Sequence, residues 1–193
     1  MTKDKHLDTR VIKTRQKLRA TFATMMRTTP YDQITVFDLC DQADVRRATF
    51  YKHFKDKNDF FSYIISLIQE DIVESIRKDK ARKKSPIEFY TVYVKKIVDY
   101  LNANSLIIDN VLKSEGFSVM MGLILDRTYS SLICDLTEDV AEGLTLPADI
   151  STVANFLNGG ISQIIVAWIS DRYCTENELI EDVRSIISKV LLK

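Results

Sequence analysis

The segment Ile34–Asp59, ITVFDLCDQADVRRATFYKHFKDKND, constrains the fold more than any other part of the chain. Two short stretches of helical periodicity lie on either side of a two-residue break. Thr35 stands where a helix N-cap belongs, with Asp38 three residues on, and Val36, Leu39 and Ala43 form one apolar stripe. Asp44 and Val45 make the turn. The next helix, from about Arg46, buries Val45, Phe50 and Phe54 and leaves Arg47, Thr49, Tyr51, Lys52 and His53 facing outward. Asp56 then caps a further helix whose first turn carries Lys57. Two helices, a tight turn and a basic, hydroxyl-rich face in so short a span have the build of a helix-turn-helix DNA reader.

A helix in the major groove needs donors for base edges and others for phosphates. Arg47 is the candidate to fork onto the O6 and N7 of a guanine. Thr49, Tyr51, His53, Lys57 and the amide end of the Thr35 helix suit phosphate oxygens, and Lys52 adds charge to the same face. On the residues alone, a second reading carries equal weight: the face from Arg46 to Lys57 is the solvated side of a small helical hairpin.

These residues resemble the signature of the TetR family of bacterial transcription regulators, T-V-x-D-L, a turn, then T-x-Y-x-H-F-x-x-K. Thr35, Val36, Asp38, Leu39, Thr49, Tyr51, His53, Phe54 and Lys57 fall in step with it, and the resemblance extends upstream through Arg15, Leu18, Ala20, Phe22 and Met25 to cover about residues 9–60. It implies that Arg47 reads bases while Thr35, Thr49, Tyr51, His53 and Lys57 hold the DNA backbone. Two positions depart from the pattern. Asp44 stands where glycine is usual in the turn, which asks Asp to adopt a left-handed conformation. Arg46 stands where a small N-cap residue is common, which leaves the first amides of the reading helix without their usual acceptor and either Arg46 or Arg47 to point into the groove.

Composition fits an all-α protein of about nine helices. The 193 residues include only 5 Gly and 3 Pro, few for a β-rich chain, and the first glycine is Gly116. The formal net charge is zero, but residues 1–60 hold 13 Lys and Arg against 8 Asp and Glu, which places a polyanion at the N-terminal end. The basic run Arg77–Lys84 reads as a helix C-terminus and a solvated loop. Cys40, Cys134 and Cys174 are far apart and lack C-x-x-C spacing, so neither a disulfide framework nor a zinc site is expected. The two histidines, His6 and His53, have no catalytic or metal-ligand pattern around them, so no metal, no cofactor and no enzymatic activity is expected. Without an apolar leader or a long continuous apolar run, the expected location is cytoplasmic, with no membrane partner.

The expected division is a DNA-binding domain over residues 1–60 and an effector-binding and dimerisation domain over 61–193. Phe61, Ile64, Ile65, Ile68, Ile72 and Ile76 form the stripe of a long connecting helix. Ser85, Pro86 and Glu88 open another, to about Ala103, followed by helices near Leu106–Lys113, Phe117–Leu136, Asp149–Arg172 and Glu176–Leu192. Apolar residues on two faces of the Asp149 helix predict cover on both sides. An intramolecular core and a dimer seam are equal readings of that pattern, and the TetR resemblance, whose members dimerise through their last two long helices, implies a homodimer through Gly159, Gly160, Ile164, Trp168, Val183 and Ile187. Phe156 through Trp168 also resembles a TetR subgroup that includes dihydroxyacetone-kinase regulators, where a protein partner can replace a small-molecule effector. Tyr90, Tyr93, Tyr100, Phe117, Met120, Met121, Tyr129 and Phe156 are candidates to line an apolar pocket or simply to fill the core. The function these features imply is a transcriptional regulator, a repressor by preference, binding palindromic double-stranded DNA and responding to an effector. The alternatives are a co-regulator set by a protein partner and a non-regulatory DNA-binding adaptor.

Overall fold

A computed structural model describes residues 9–78 and 85–191. Among these residues the regular elements are helices: α1 (Thr9–Met25), a 3₁₀ turn (Tyr31–Gln33), α2 (Val36–Gln42), α3 (Arg47–Tyr51), α4 (Lys57–Lys78), α5 (Pro86–Ala103), α6 (Ser105–Leu112), α7 (Phe117–Ala141), α8 (Ile150–Asp171) and α9 (Glu176–Leu191). Of the basic run expected at a helix end, Arg77 and Lys78 fall in α4, and residues 79–84 lie outside the described residues, as does Leu192.

The helices begin where local chemistry supplies an acceptor for their orphan amides. Thr35 Oγ1 accepts from the Asp38 amide at 3.1 Å, Asp56 Oδ1 from Asp59 at 2.9 Å, and Ser85 Oγ from Glu88 at 3.2 Å with proline in the first turn. Asp149 accepts from the amides of Ser151 and Thr152. Thr175 and Glu178 form a full reciprocal box, the Thr175 amide donating to Glu178 at 2.8 Å and the Glu178 amide returning to Thr175 Oγ1 at 3.3 Å. The α7 helix runs about a turn past the expected Leu136, and Gly143, at φ 107°, takes the left-handed conformation in the loop that follows.

The chain divides into two compact units. The first runs to Ile64 and takes in Ser105–Met120; the second comprises Ile65–Asn104 and the chain from Met121 onward. This differs from a linear break at residue 60, because α6 and the first turn of α7 join the first unit. The Asn110 amide donates to the Met26 carbonyl at 3.1 Å, and the Ser114 hydroxyl donates to the Asp32 carboxylate. Gly116 sits so close to Tyr31 that a Cβ would lie 3.2 Å from its ring, a tight contact that the ring would have to yield to by a few tenths of an ångström. The core of the unit is aromatic: Phe22, Phe50, Phe54, Phe60 and Phe61 are buried, with Phe54 and Phe60 at 4.9 Å and Phe22 and Phe60 edge to face at 5.4 Å. The second unit has its own core, built from Ile72 and Ile76 of α4, Phe89, Val94 and Val98 of α5, Leu136 of α7, Leu157 and Trp168 of α8, and Leu179, Val183 and Ile187 of α9.

Candidate nucleic-acid interface and ligand cleft

The turn between α2 and α3 forms with Asp44 at φ 51°, the left-handed conformation required of a residue replacing glycine. Its carboxylate meets Lys17 Nζ at 3.2 Å, but both groups are solvent-exposed, so the pair adds little stability. Arg46 is the N-cap of α3 and makes no side-chain cap hydrogen bond, which leaves the first amides of α3 available to an external acceptor.

From this short helix Arg46, Arg47, Tyr51 and Lys52 project as exposed side chains, and Thr49 and His53 are half-buried at its edge. Thr35 is exposed at the start of α2. Phe50 and Phe54 anchor the opposite side in the aromatic core, and Tyr51 packs edge to face on Phe50 at 5.4 Å with half its surface free. The Arg15 guanidinium lies over the rings of Phe54 and Tyr63, at 5.7 and 5.1 Å. Burial, then the positive charges of Arg15 and Lys52, hold the His53 pKa below its ordinary value. The shift favours the neutral imidazole, which offers an N–H to a neighbouring acceptor.

Lys57 does not belong to this outward set. Its ammonium turns inward, donating to the carbonyls of Tyr31 at 2.8 Å, Asp32 at 3.4 Å and Ile34 at 2.8 Å, and it sits 4.4 Å from the centre of the Tyr31 ring. Burial lowers its pKa, and Asp32 acts in the other direction. The Tyr31 hydroxyl in turn donates to Asn58 at 2.6 Å, and burial followed by the Asp56 charge pushes its pKa up to about 12. Lys57 thus ties α4 to the 3₁₀ turn before α2, and nothing in the spacing of the motif reveals it.

In the second unit a cleft of about 90 Å³ lies among α5, α7, α8 and α9. Tyr90 and Tyr93 line it as expected; Tyr100, Phe117, Met120, Met121, Tyr129 and Phe156 do not. Phe117 and Met120 fall in the first unit, where Met120 is fully buried. Phe156 is 60% exposed, Tyr100 is on the surface, and Tyr129 packs against the core. The walls instead include Thr128, Ser131 and Asp135 of α7 and Asn158 and Ser162 of α8, polar residues at helical spacing within otherwise apolar stretches. That recurrence was the available signal.

The predicted dimer residues separate into two groups. Trp168, Val183 and Ile187 are buried in the chain's own core, 2% exposed or less, and Ile187 also lines the cleft, so they cannot form a seam with a second chain. Ile164 is half-buried. Gly159 and Gly160 are exposed with no atom within 4 Å of an added Cβ. α8 is also long and apolar enough, by length and composition, to cross a membrane, with a mean hydropathy of 1.3 over its best window, a test that core helices of soluble proteins also pass. Val153, Ala154, Leu157, Ile165 and Trp168 are its covered side. Its exposed side carries Phe156, Gly159 and Gly160 among the polar residues Thr152, Asn155 and Gln163.

A helix-turn-helix with an exposed cationic and hydroxyl-bearing second helix, in a chain whose second helical unit has its own cleft, defines a DNA-binding transcriptional regulator. Residues 91–189 match the family described as transcriptional regulator C-terminal region, and residues 21–64 match the bacterial regulatory proteins of the tetR family. The chain belongs to the TetR family of regulators. Among curated relatives it is 31% identical over 75 residues to an uncharacterized HTH-type transcriptional regulator, YxbF, of Bacillus subtilis (strain 168), a match covering 38% of this chain and 20% of that protein's length. It is 25% identical over 151 residues to the nucleoid occlusion factor SlmA of Alteromonas mediterranea, covering 74% of this chain and 77% of that one. A TetR-family structure from Syntrophomonas wolfei superposes with a TM-score of 0.67 at 18% identity, over 92% of this chain and 94% of the other. The dihydroxyacetone kinase operon activator DhaS shares the fold at a TM-score of 0.58 and 17% identity, over 92% and 96% of the two chains.

Proposed function

We propose that this regulator is a cytoplasmic homodimer that represses from a palindromic operator and changes its DNA affinity when a small molecule occupies the cleft of the second unit. The exposed face of α3 carries the reading: Arg46, Arg47, Tyr51 and Lys52 stand free on a helix anchored from behind by Phe50 and Phe54. Arg47 reads a guanine edge, with Thr35, Thr49, Tyr51 and His53 on the phosphates and sugars. α4 and α7 each continue from the first unit into the second, which supports their role in transmitting occupancy. The effector acts only through a difference in its affinity for the DNA-competent and DNA-incompetent forms.

Operator binding is expected with a dissociation constant on the order of 10⁻⁸ M at moderate salt. Replacing Arg47 with Ala is expected to cost about 1–3 kcal/mol, concentrated at one base pair per half-site. A fluorescence-anisotropy series over operator variants measures this. Equal loss on every sequence removes Arg47 as the base reader.

The open side of α8 supports the dimer, since a second copy would cover Phe156 and bring backbones together at Gly159 and Gly160. Within one chain there is room at both glycines. Gly160→Ala is therefore expected to stabilise the isolated fold, by about 0.5–1 kcal/mol from helix propensity, whereas Gly160→Leu folds but sediments as a monomer at micromolar concentration. A Gly160→Leu protein that dimerises like the parent places the seam elsewhere.

The similarity to a nucleoid occlusion factor favours a second reading, a DNA-binding adaptor rather than a promoter-specific regulator. Genome-wide occupancy separates the two: one or a few promoters for a regulator, many dispersed sites for an adaptor.

A further inference from the structure

The cleft of the second unit has two unlike walls. α5 supplies Phe89, Tyr90 and Tyr93, with Phe89 and Tyr93 stacked at 26° and 6.4 Å between centres. The Tyr90 hydroxyl is engaged by Asp139 at 2.9 Å, so its contribution to this wall is the ring. α7 and α8 contribute Ser131, Asn158 and Ser162 to the lining of the same cleft, between Leu132, Leu157, Ile161 and Ile165.

Asn158 is held in a fixed orientation. Its Oδ1 accepts from Thr128 Oγ1 at 2.5 Å and its Nδ2 donates to the Leu125 carbonyl at 3.0 Å, which leaves one amide N–H for an occupant. The Ser131 and Ser162 hydroxyls make no hydrogen bond among the described residues. Polar groups left unpaired against an apolar cleft cost free energy unless an occupant pairs them.

No Lys, Arg or His lines the cleft among the described residues, and its one ionisable carboxyl group is Asp135. Burial first, opposed by a hydrogen bond from Gln69 and reinforced by the Asp135 charge, pushes the Tyr93 phenol up to about 12, so this wall penalises added negative charge. The volume of about 90 Å³ is well below that of a pocket for a drug-sized ligand, some 300–1,000 Å³.

We infer that the cleft takes a small uncharged amphipathic molecule of roughly one ring, its apolar body against Phe89, Tyr90 and Tyr93 and a hydroxyl head against Ser131, Asn158 and Ser162, and that it discriminates against carboxylates. This rests on the proposed role of the cleft as the effector site. The probes are phenol, toluene and benzoate, titrated calorimetrically into the full chain. Phenol is expected to bind once per chain, with benzoate at least about tenfold weaker for want of a counter-ion. The double variant Ser131→Ala, Ser162→Ala is expected to weaken phenol about fivefold or more and to leave toluene unchanged, since it deletes only the hydroxyl partners. Toluene binding by the double variant reports that its cleft is intact.

Three results overturn the inference: no phenol binding up to about 10 mM, benzoate binding as tightly as phenol, or phenol affinity indifferent to the double variant. Operator binding is measured in the same samples. Phenol that binds as expected yet leaves DNA affinity unchanged upholds the ligand class and overturns the effector role of the cleft.

Discussion

Trp168→Ala is expected to lower the unfolding free energy of the chain by about 3–5 kcal/mol, the range for deleting a large buried aromatic side chain. The indole is 2% exposed and packs in the core shared by α5, α8 and α9. Its Nε1–H donates to the Cys174 carbonyl at 2.9 Å, and the Arg172 guanidinium lies 4.0 Å from its centre. The substitution therefore removes apolar contacts, leaves a carbonyl without its donor and strips the ring from under a cation. Arg172 also closes α8, at φ 48° in the left-handed region, and reaches the Asn102 side chain at 3.1 Å, so the end of the helix loosens with the core. Urea unfolding followed at several protein concentrations separates this from a dimer effect. A core role gives a loss that persists at every concentration; a Trp168 at a subunit seam would instead give a folded monomer, and that result would contradict the buried placement.

Lys57→Ala is expected to cost about 1.5–3 kcal/mol, the range for hydrogen bonds made by a charged group. The carbonyls of Tyr31 and Ile34 each lose a donor at 2.8 Å, and the Tyr31 ring loses the cation beside it. The consequence for DNA is distinctive. A lysine on a phosphate contributes to the salt dependence of binding, and removing it lowers that slope by about one ion. Lys57 placed as an internal tie predicts weaker binding on every sequence with the slope unchanged, together with faster hydrogen exchange in the 3₁₀ turn and the start of α4. A reduced slope with unaltered stability would return Lys57 to the phosphate face.

What the sequence determines by itself is the part governed by neighbours within a few residues. The boxes at Thr35 and Asp38, Ser85 and Glu88, and Thr175 and Glu178 close over three residues, so residue type and spacing suffice to place the helix starts. The outward face of α3 is equally legible, because Phe50 and Phe54 fix its phase and Arg47, Tyr51 and Lys52 follow from it. Asp44 in the left-handed turn belongs to the same class.

Tertiary structure alone decides which of several apolar or charged residues meets a distant partner. Lys57 satisfies the motif on either side of its helix, and it turns inward because carbonyls 23 and 26 positions earlier lie within its reach. Apolar residues lie on more than one face of α8, interrupted by Asn155, Asn158, Ser162 and Gln163, and only tertiary packing assigns Trp168 to the chain's own core and leaves Gly160 open. Met120 and Tyr93 both looked like pocket residues, yet Met120 lies on the stretch of α7 that joins the first unit. Helical periodicity specifies which residues share a face; which face is buried, and against what, is set by contacts between segments far apart in the chain.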